Sequence, residues 1–249
     1  MSGFYDDLAP SYHLLFEDWD ASIERQGRTL SEVIRSEWPG HNTVLDVSCG
    51  IGTQAIALSN NGFRVTGSDV SANAIDRARE EARKRNCDIA FSVCDMREAK
   101  GHHGSGFDLV VSCDNSVPHL LTDADILDAL EQMYSCLRPG GGCLLTVRDY
   151  DLEPRGKNIV KQVRTCARAG SRYSVFQIWD FDADQYDLTM TIVDENLATG
   201  NISTQVLRSR YYAIGVERLL GLVAQAGFPD PRRIDNVFYQ PVIVGTKPL

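Results

Sequence analysis

The stretch from Val44 to Leu58 leaves the chain few folds to choose from. Val44-Leu45-Asp46-Val47 is a short apolar run with one acid inside it, as in a buried parallel strand. Ser48-Cys49-Gly50-Ile51-Gly52 follows, and Thr53-Gln54-Ala55-Ile56-Ala57-Leu58 then reads as a helix. A strand that turns through glycines into a helix start brings backbone N–H groups close to a ligand. Glycine suits the turn because a Cβ would obstruct a positive φ or close backbone approach. Gly50-x-Gly52-x-x-Ala55 also fits the dinucleotide pattern G-x-G-x-x-G/A. The turn alone therefore asks for a nucleotide-like cofactor without saying which.

The same unit repeats along the chain. Residues 1–18 are aromatic and acidic and form a helical arm, which either packs on the core or covers the active site. A helix from about Ala21 to Trp38 ends at Pro39-Gly40. Strands follow at 63–68, ending at Asp69, and at 89–93, ending at Cys94-Asp95-Met96. Ser71 caps the charged helix 72–85 between them. After a surface loop at 101–106 come a strand at 107–113 and a helix at 123–137. Arg138-Pro139-Gly140-Gly141-Gly142 breaks that helix, and 143–147 is the fifth strand. Five alternations predict an α/β fold with a doubly wound, mostly parallel seven-stranded sheet. Three strands without helices between them (173–181, 186–194, 203–212) make an antiparallel insertion after the fifth strand. A helix at 215–226 closed by Gly227 and strands at 232–238 and 240–246 end the pattern. The expected organisation is one domain over 1–249, with an arm or flap at 1–38 and an antiparallel substrate lid at 151–213.

Composition narrows the classes. A formal net charge of -9 with no basic run disfavours nucleic acid. Seven cysteines without a C-x-x-C pair suggest neither a disulfide framework nor a zinc site. They read as small buried residues in a reducing compartment. The N-terminus lacks a signal peptide's apolar core, and no apolar run reaches membrane-spanning length. The expectation is a cytoplasmic protein with a small-molecule substrate, no nucleic-acid or membrane partner, no bound metal, and a possible homo-oligomeric state.

The acids at strand ends separate the cofactors. Asp46 lies inside the first strand, where a carboxylate is costly unless something holds it. It is either held only by backbone amides of the glycine turn, or it shapes that turn and also senses a cationic ligand group. Asp69 stands where an acid accepts the ribose hydroxyls; Ser71 already serves as the helix cap. Asp95 either accepts from an adenine amino group or is a solvated loop acid. Dehydrogenases share the glycines and the ribose acid but usually lack an acid in the position of Asp46. They also rarely combine an acid at the third strand end with Leu137-Arg138-Pro139-Gly140-Gly141-Gly142 before the fifth. Together these features resemble a class I S-adenosylmethionine-dependent methyltransferase. The cofactor would be S-adenosyl-L-methionine and its product S-adenosyl-L-homocysteine. Tyr12, Arg25, Ser48, Val70, Met96 and Cys113 complete the expected cofactor-binding set with Asp46, Gly50, Gly52, Asp69 and Asp95.

A narrower resemblance lies further on. Asp114-Asn115-Ser116-Val117-Pro118-His119-Leu120 is similar to the Asn-Ser-x-x-His-Leu stretch of the glycine and glycine/sarcosine N-methyltransferases. Arg148-Asp149-Tyr150-Asp151 resembles their Arg-Asn-Tyr-Asp; Gly156-Lys157-Asn158-Ile159 and Arg210-Tyr211-Tyr212 also have counterparts. The resemblance implies that Arg148 grips an amino acid carboxylate and that Asn115 lies beside the substrate. His119 is either catalytic or a packed loop residue. Tyr150, Tyr211 and Tyr212 either line the pocket or fill the core. Val160-Lys161 stand where the family carries tyrosines, which leaves a larger or differently charged substrate open. The implied reaction is in-line displacement of the sulfonium methyl by a neutral amine whose proton has gone to water, His119 or a tyrosinate. Rival readings are a same-fold O-, C- or N-methyltransferase of a secondary metabolite, a non-catalytic S-adenosylmethionine-binding protein, and an NAD-dependent oxidoreductase.

Overall fold

The computed structural model describes residues 2–249, Ser2 through its backbone alone. Five strands build the centre: β1 (Thr43–Asp46), β2 (Arg64–Asp69), β3 (Ala90–Val93), β4 (Phe107–Ser112) and β5 (Leu137–Thr146). Four more, β6 (Ile159–Arg168), β7 (Ser171–Asp182), β8 (Gln185–Asn196) and β9 (Ile202–Tyr212), form a separate antiparallel sheet. β10 (Arg232–Ile234) and β11 (Val242–Thr246) complete the first sheet, whose order is β10-β11-β5-β4-β1-β2-β3. β1 to β5 pair in parallel, and β11 runs antiparallel to β5 and β10. The chain steps outward from β1 to β3 and then returns to place β4 beside β1. Ligands of such sheets bind outside the carboxyl ends of the strands at this reversal.

Among the described residues, seven α-helices cover the sheets: α1 (Ser2–Leu8), α2 (Trp19–Glu37), α3 (Thr53–Asn60), α4 (Ala72–Lys84), α5 (Ala99–His103), α6 (Asp123–Cys136) and α7 (Val216–Gln225). Local chemistry sets their starts. Asp18, Ser71 and Thr122 each accept a backbone N–H from the first turn of α2, α4 and α6, satisfying a donor the helix leaves free. Apolar residues from α2, α3 and α4 close one face of the central sheet, with Ile34, Ile56 and Ile75 fully buried. Those of α6 and α7, among them Ile126, Met133 and Leu219, close the other. A third cluster joins α1 to the antiparallel sheet through Phe4, Leu8, Trp179, Tyr186 and Met190. No helix among the described residues is long and apolar enough to cross a membrane.

Three elements differ from the sequence expectation. β6 has no counterpart in it, because Lys161, Arg164 and Arg168 give this edge strand the charged look of a loop. Edge strands carry such charges where a further strand must not pair. The loop expected at 101–106 begins as the short helix α5. The glycine run 138–142 does not separate α6 from β5 but lies within β5, as a shift in its register with β4 between Phe107 and Leu109. A Cβ on Gly142 would stand 2.2–2.5 Å from three atoms of the Trp38 ring, so only glycine lets the strand pass beneath the end of α2.

Candidate active site

β1 ends at the glycine turn, and the turn sets the floor of a cleft. Gly50 has φ 53 and Gly52 φ 94, both left-handed. Gly52 caps α3, and its carbonyl accepts from Ile56 N at 2.8 Å. Trp19 at the start of α2 donates its indole N–H to Thr53 Oγ1 at 3.0 Å, which docks the two helix starts together. Asp69, at the end of β2, accepts from Gly50 N at 2.9 Å and from Ser71 N at 2.9 Å. It therefore ties the glycine turn to the start of α4. Burial pushes its carboxyl above the usual range despite these bonds.

The cleft above this turn has a volume of about 260 Å³. Tyr12, Ser48, Gly50, Asp69, Val70, Asp95, Met96 and Cys113 line it, as does His119. Both carboxylate oxygens of Asp95 receive Arg97, at 2.7 Å from Nη2 and 2.9 Å from the backbone N–H, and the arginine holds the carboxyl below its ordinary range. Asp46 and Gly52 lie behind the turn rather than on the cleft surface. Asp46 is fully buried; Oδ1 accepts from Ser48 N at 3.2 Å, and Oδ2 has no partner among the described residues.

Burial, reinforced by the nearby Asp69 carboxylate, raises the Asp46 carboxyl to about 7. A carboxyl raised in the fold binds more protons natively than unfolded. Its contribution to stability is therefore present at low pH and is lost as pH rises toward 7. Urea midpoints of the cofactor-free protein are expected to show this as a fall between pH 5 and 8 that Asp46→Asn removes. His119, buried and lowered to about 3, acts with the opposite sign below its ordinary pKa, so the Asp46 effect is read as wild type minus variant. Equal pH slopes in the two proteins would exclude an ionising Asp46.

A second chamber of about 380 Å³ adjoins the cleft and shares Tyr5, Tyr12 and Asp114 with it. Phe4, Leu8, Trp179, Leu188 and Met190 give it apolar walls; Arg148, Lys161, Gln162 and Gln177 give it polar ones. Asp6 helps hold the arm in place across α4, accepting from Ser71 Oγ at 2.6 Å and Asn73 N at 3.2 Å. The Arg148 guanidinium lies 4.9 Å from the centre of the Trp179 ring and donates Nη1 to Glu153 at 2.9 Å. Its Nε is buried without a partner among the described residues. Lys161 donates to the other Glu153 oxygen at 2.6 Å.

Asn115 lines the chamber, but both ends of its amide are engaged. Oδ1 accepts from Arg148 N at 2.9 Å, and Nδ2 donates to Tyr150 Oη at 2.8 Å. His119 is neutral, with its Nε2 2.7 Å from Tyr5 Oη and its ring 3.9 Å from that of Tyr211. An imidazole whose charged form is so disfavoured is a poor proton store, which favours the packed reading of His119 over the catalytic one.

Three expected site residues lie elsewhere. Arg25 is on the exposed face of α2; Ser22 and Gln26 are the residues turned inward. Tyr150 is buried in the third core cluster, with its hydroxyl between Asn115 and Tyr186, and lines neither cavity. Tyr212 faces the opposite side of β9 from Tyr211, because successive strand residues alternate. Its hydroxyl donates to Asp123 at 2.8 Å, and Tyr211 is the one that lines the chamber. Sequence reasoning gave no role to Tyr5, Asp114 or Trp179, although the early aromatics and the run after β4 had marked their neighbourhoods. It also expected no metal-ligand cluster, yet Cys94, His102 and His103 bring ligand atoms within 4.8 Å of one another at the ends of β3 and α5. Each histidine Nε2 there lies 3.0 Å from a serine hydroxyl.

Residues 44–141, which carry the glycine turn and both flanking acids, match a family model described as a methyltransferase domain. With the sheet order described above, that match supports a class I S-adenosylmethionine-dependent methyltransferase. The glycine/sarcosine N-methyltransferase of Parasynechococcus marenigrum (strain WH8102) is 33% identical to this chain over 145 residues, 58% of this chain and 51% of that protein. The chain thus spans about half the length of the curated relatives it matches. Among solved structures, an amino pentose methyltransferase from Micromonospora echinaspora, CalS10, superposes with a TM-score of 0.79 at 19% identity, covering 91% of this chain and 92% of the other. DesVI of Streptomyces venezuelae gives 0.80 at 17% identity over 99% and 98%. These two likenesses establish the fold.

The cleft fits the family's cofactor. Asp69 retains acceptor capacity for hydroxyls beyond its two backbone bonds, since a carboxylate offers about four lone-pair positions.

Proposed function

We propose that this chain methylates the amine of a small molecule that also carries a carboxylate, an amino acid of the glycine/sarcosine kind being the nearest model. The buried Nε of Arg148, unpartnered and beside a chamber continuous with the cofactor cleft, carries this reading. A half-buried arginine whose fork keeps an unpartnered Nε suits a carboxylate better than it suits water. The likeness to the glycine/sarcosine enzyme supports the amine as acceptor.

Bound S-adenosylmethionine would supply an electrophilic sulfonium methyl. The chain's own residues have simpler tasks. Asp69, Gly50 and Asp95 hold the cofactor, Arg148 fixes the acceptor's anionic end, and Tyr5, Tyr211 and His119 exclude water where the two cavities meet. Positioning and desolvation are what such a displacement chiefly requires. The antiparallel sheet and the N-terminal arm together act as the substrate lid.

A second reading, methylation of a larger secondary metabolite, is favoured by the chamber's volume and apolar walls. The discriminating experiment offers glycine, sarcosine, bulkier amino acids and amino sugars with S-adenosylmethionine and identifies products by mass spectrometry. Transfer confined to amino acids supports the first reading. Transfer only to amines without a carboxylate, or to oxygen, removes it.

A further inference from the structure

The carboxylate of Asp114 stands where the two cavities join, lining both. Its Oδ2 accepts from the Tyr12 phenol at 3.1 Å and its Oδ1 from the Tyr239 phenol at 2.9 Å. Among the described residues, no cationic side chain forms an ion pair with it. Two phenols leave about half of its lone-pair positions free. A partly buried carboxylate in that condition is completed by a cation or by further N–H donors.

Its placement is imposed by the backbone. Asp114 and Asn115 have φ 58 and 65, two successive left-handed residues that are not glycine. That conformation costs free energy, least for Asp and Asn. It is held by bonds from Asp114 N to Thr146 Oγ1 at 2.7 Å and from Asn115 N to Thr146 O at 3.0 Å. The turn thereby fixes Asp114 at the junction, while Arg148 lines the same chamber with a guanidinium.

We infer that Asp114 binds the acceptor's amine, and that the acceptor is an amine with an apolar body larger than that of glycine. This rests on the amine-methylating reading above. The chamber, at about 380 Å³, falls among pockets that hold drug-sized ligands, roughly 300–1,000 Å³. Glycine, with a single methylene, would leave Phe4, Leu8, Leu188 and Met190 against water. A longer acceptor places its cation on Asp114, its body on those side chains and any carboxylate on Arg148. The two charged ends of the site then read different groups and can be tested separately.

The test is calorimetry on protein saturated with S-adenosylhomocysteine, using tyramine, phenylalanine, 3-phenylpropanoate and glycine as probes. Asp114→Asn is the variant, since asparagine accepts the left-handed backbone and keeps the shape. A melting curve matching wild type establishes that it folds. Tyramine and phenylalanine are expected to bind wild type more tightly than glycine and to weaken about 10- to 100-fold in the variant, the loss of a charge-assisted bond. Binding of 3-phenylpropanoate and S-adenosylhomocysteine should stay within about twofold. Unchanged tyramine binding overturns the inference, as does failure of tyramine and phenylalanine to bind wild type. A loss confined to S-adenosylhomocysteine also overturns it, by assigning Asp114 to the cofactor. Glycine binding as tightly as phenylalanine overturns the size argument. Tyramine also separates this inference from the reading beneath it: methylation on its phenol oxygen defeats amine methylation while leaving Asp114's contribution to amine binding measurable.

Discussion

Asp69→Asn is expected to weaken S-adenosylhomocysteine binding by about two orders of magnitude, measured by calorimetry. The carboxylate accepts two backbone N–H groups, from Gly50 and Ser71, and lines the cleft with acceptor capacity to spare. An asparagine has one oxygen and one amino group, so it sets a donor against one of those N–H groups and can accept less from a ribose. Hydrogen bonds to charged groups contribute about 1.5–3 kcal/mol each, and two such losses correspond to roughly a hundredfold or more in affinity. The same substitution is expected to lower stability modestly, because the turn between β1 and α3 loses one of its ties to the start of α4. A purely structural Asp69 makes the opposite pattern: a lower urea midpoint with S-adenosylhomocysteine affinity unchanged. That result would remove Asp69 from the cofactor site. Asp69→Glu serves as a check, since it keeps the charge and moves it by one methylene.

The two halves of the site differ in how far the sequence revealed them, and the reason is physical. The cofactor side depends on local spacing. A strand, a glycine turn and acids at successive strand ends must recur at near-fixed intervals, so Gly50, Asp69 and Asp95 could be placed before any coordinates. Even there, Arg25 was misplaced, because a helix periodicity that fixes Ile23, Leu30 and Ile34 inward does not say what an exposed arginine between them reaches. The acceptor side depends on contacts between distant segments. Tyr5 meets His119 across 114 positions of sequence, and Tyr239 meets Asp114 across 125. No periodicity encodes such meetings. Tyr211 and Tyr212 show the sharpest case: strand alternation demands that one face the chamber and the other the α6 side, but choosing between them requires the register of β9 on β8. β6 escaped because its exposed edge is written in lysine and arginine. It nevertheless delivers Lys161 to the chamber beside Arg148.

Arg148→Met is expected to lower kcat/KM for a carboxylate-bearing acceptor about 100- to 1,000-fold while leaving S-adenosylhomocysteine affinity unchanged. Methionine keeps an unbranched apolar stem near Trp179, so the loss falls mainly on the charge and its donors. Glu153 is not left orphaned, because Lys161 still donates to it at 2.6 Å, and the stability cost should therefore stay near 1–2 kcal/mol. The kinetic loss follows from two charge-assisted bonds of about 1.5–3 kcal/mol each, at about 1.4 kcal/mol per tenfold in rate. Arg148→Lys should recover little, since an ammonium cannot reproduce the planar fork whose Nε is free here. An amine without a carboxylate provides the control. Its turnover by the Met variant should match wild type within a few fold, because nothing in it needs the guanidinium. Equal losses for both acceptors would mean that Arg148 only braces the end of β5, through its backbone bond to Asn115 and its place on Trp179. Undiminished turnover of the carboxylate substrate would take Arg148 out of the site, and with it the argument that the acceptor is an amino acid.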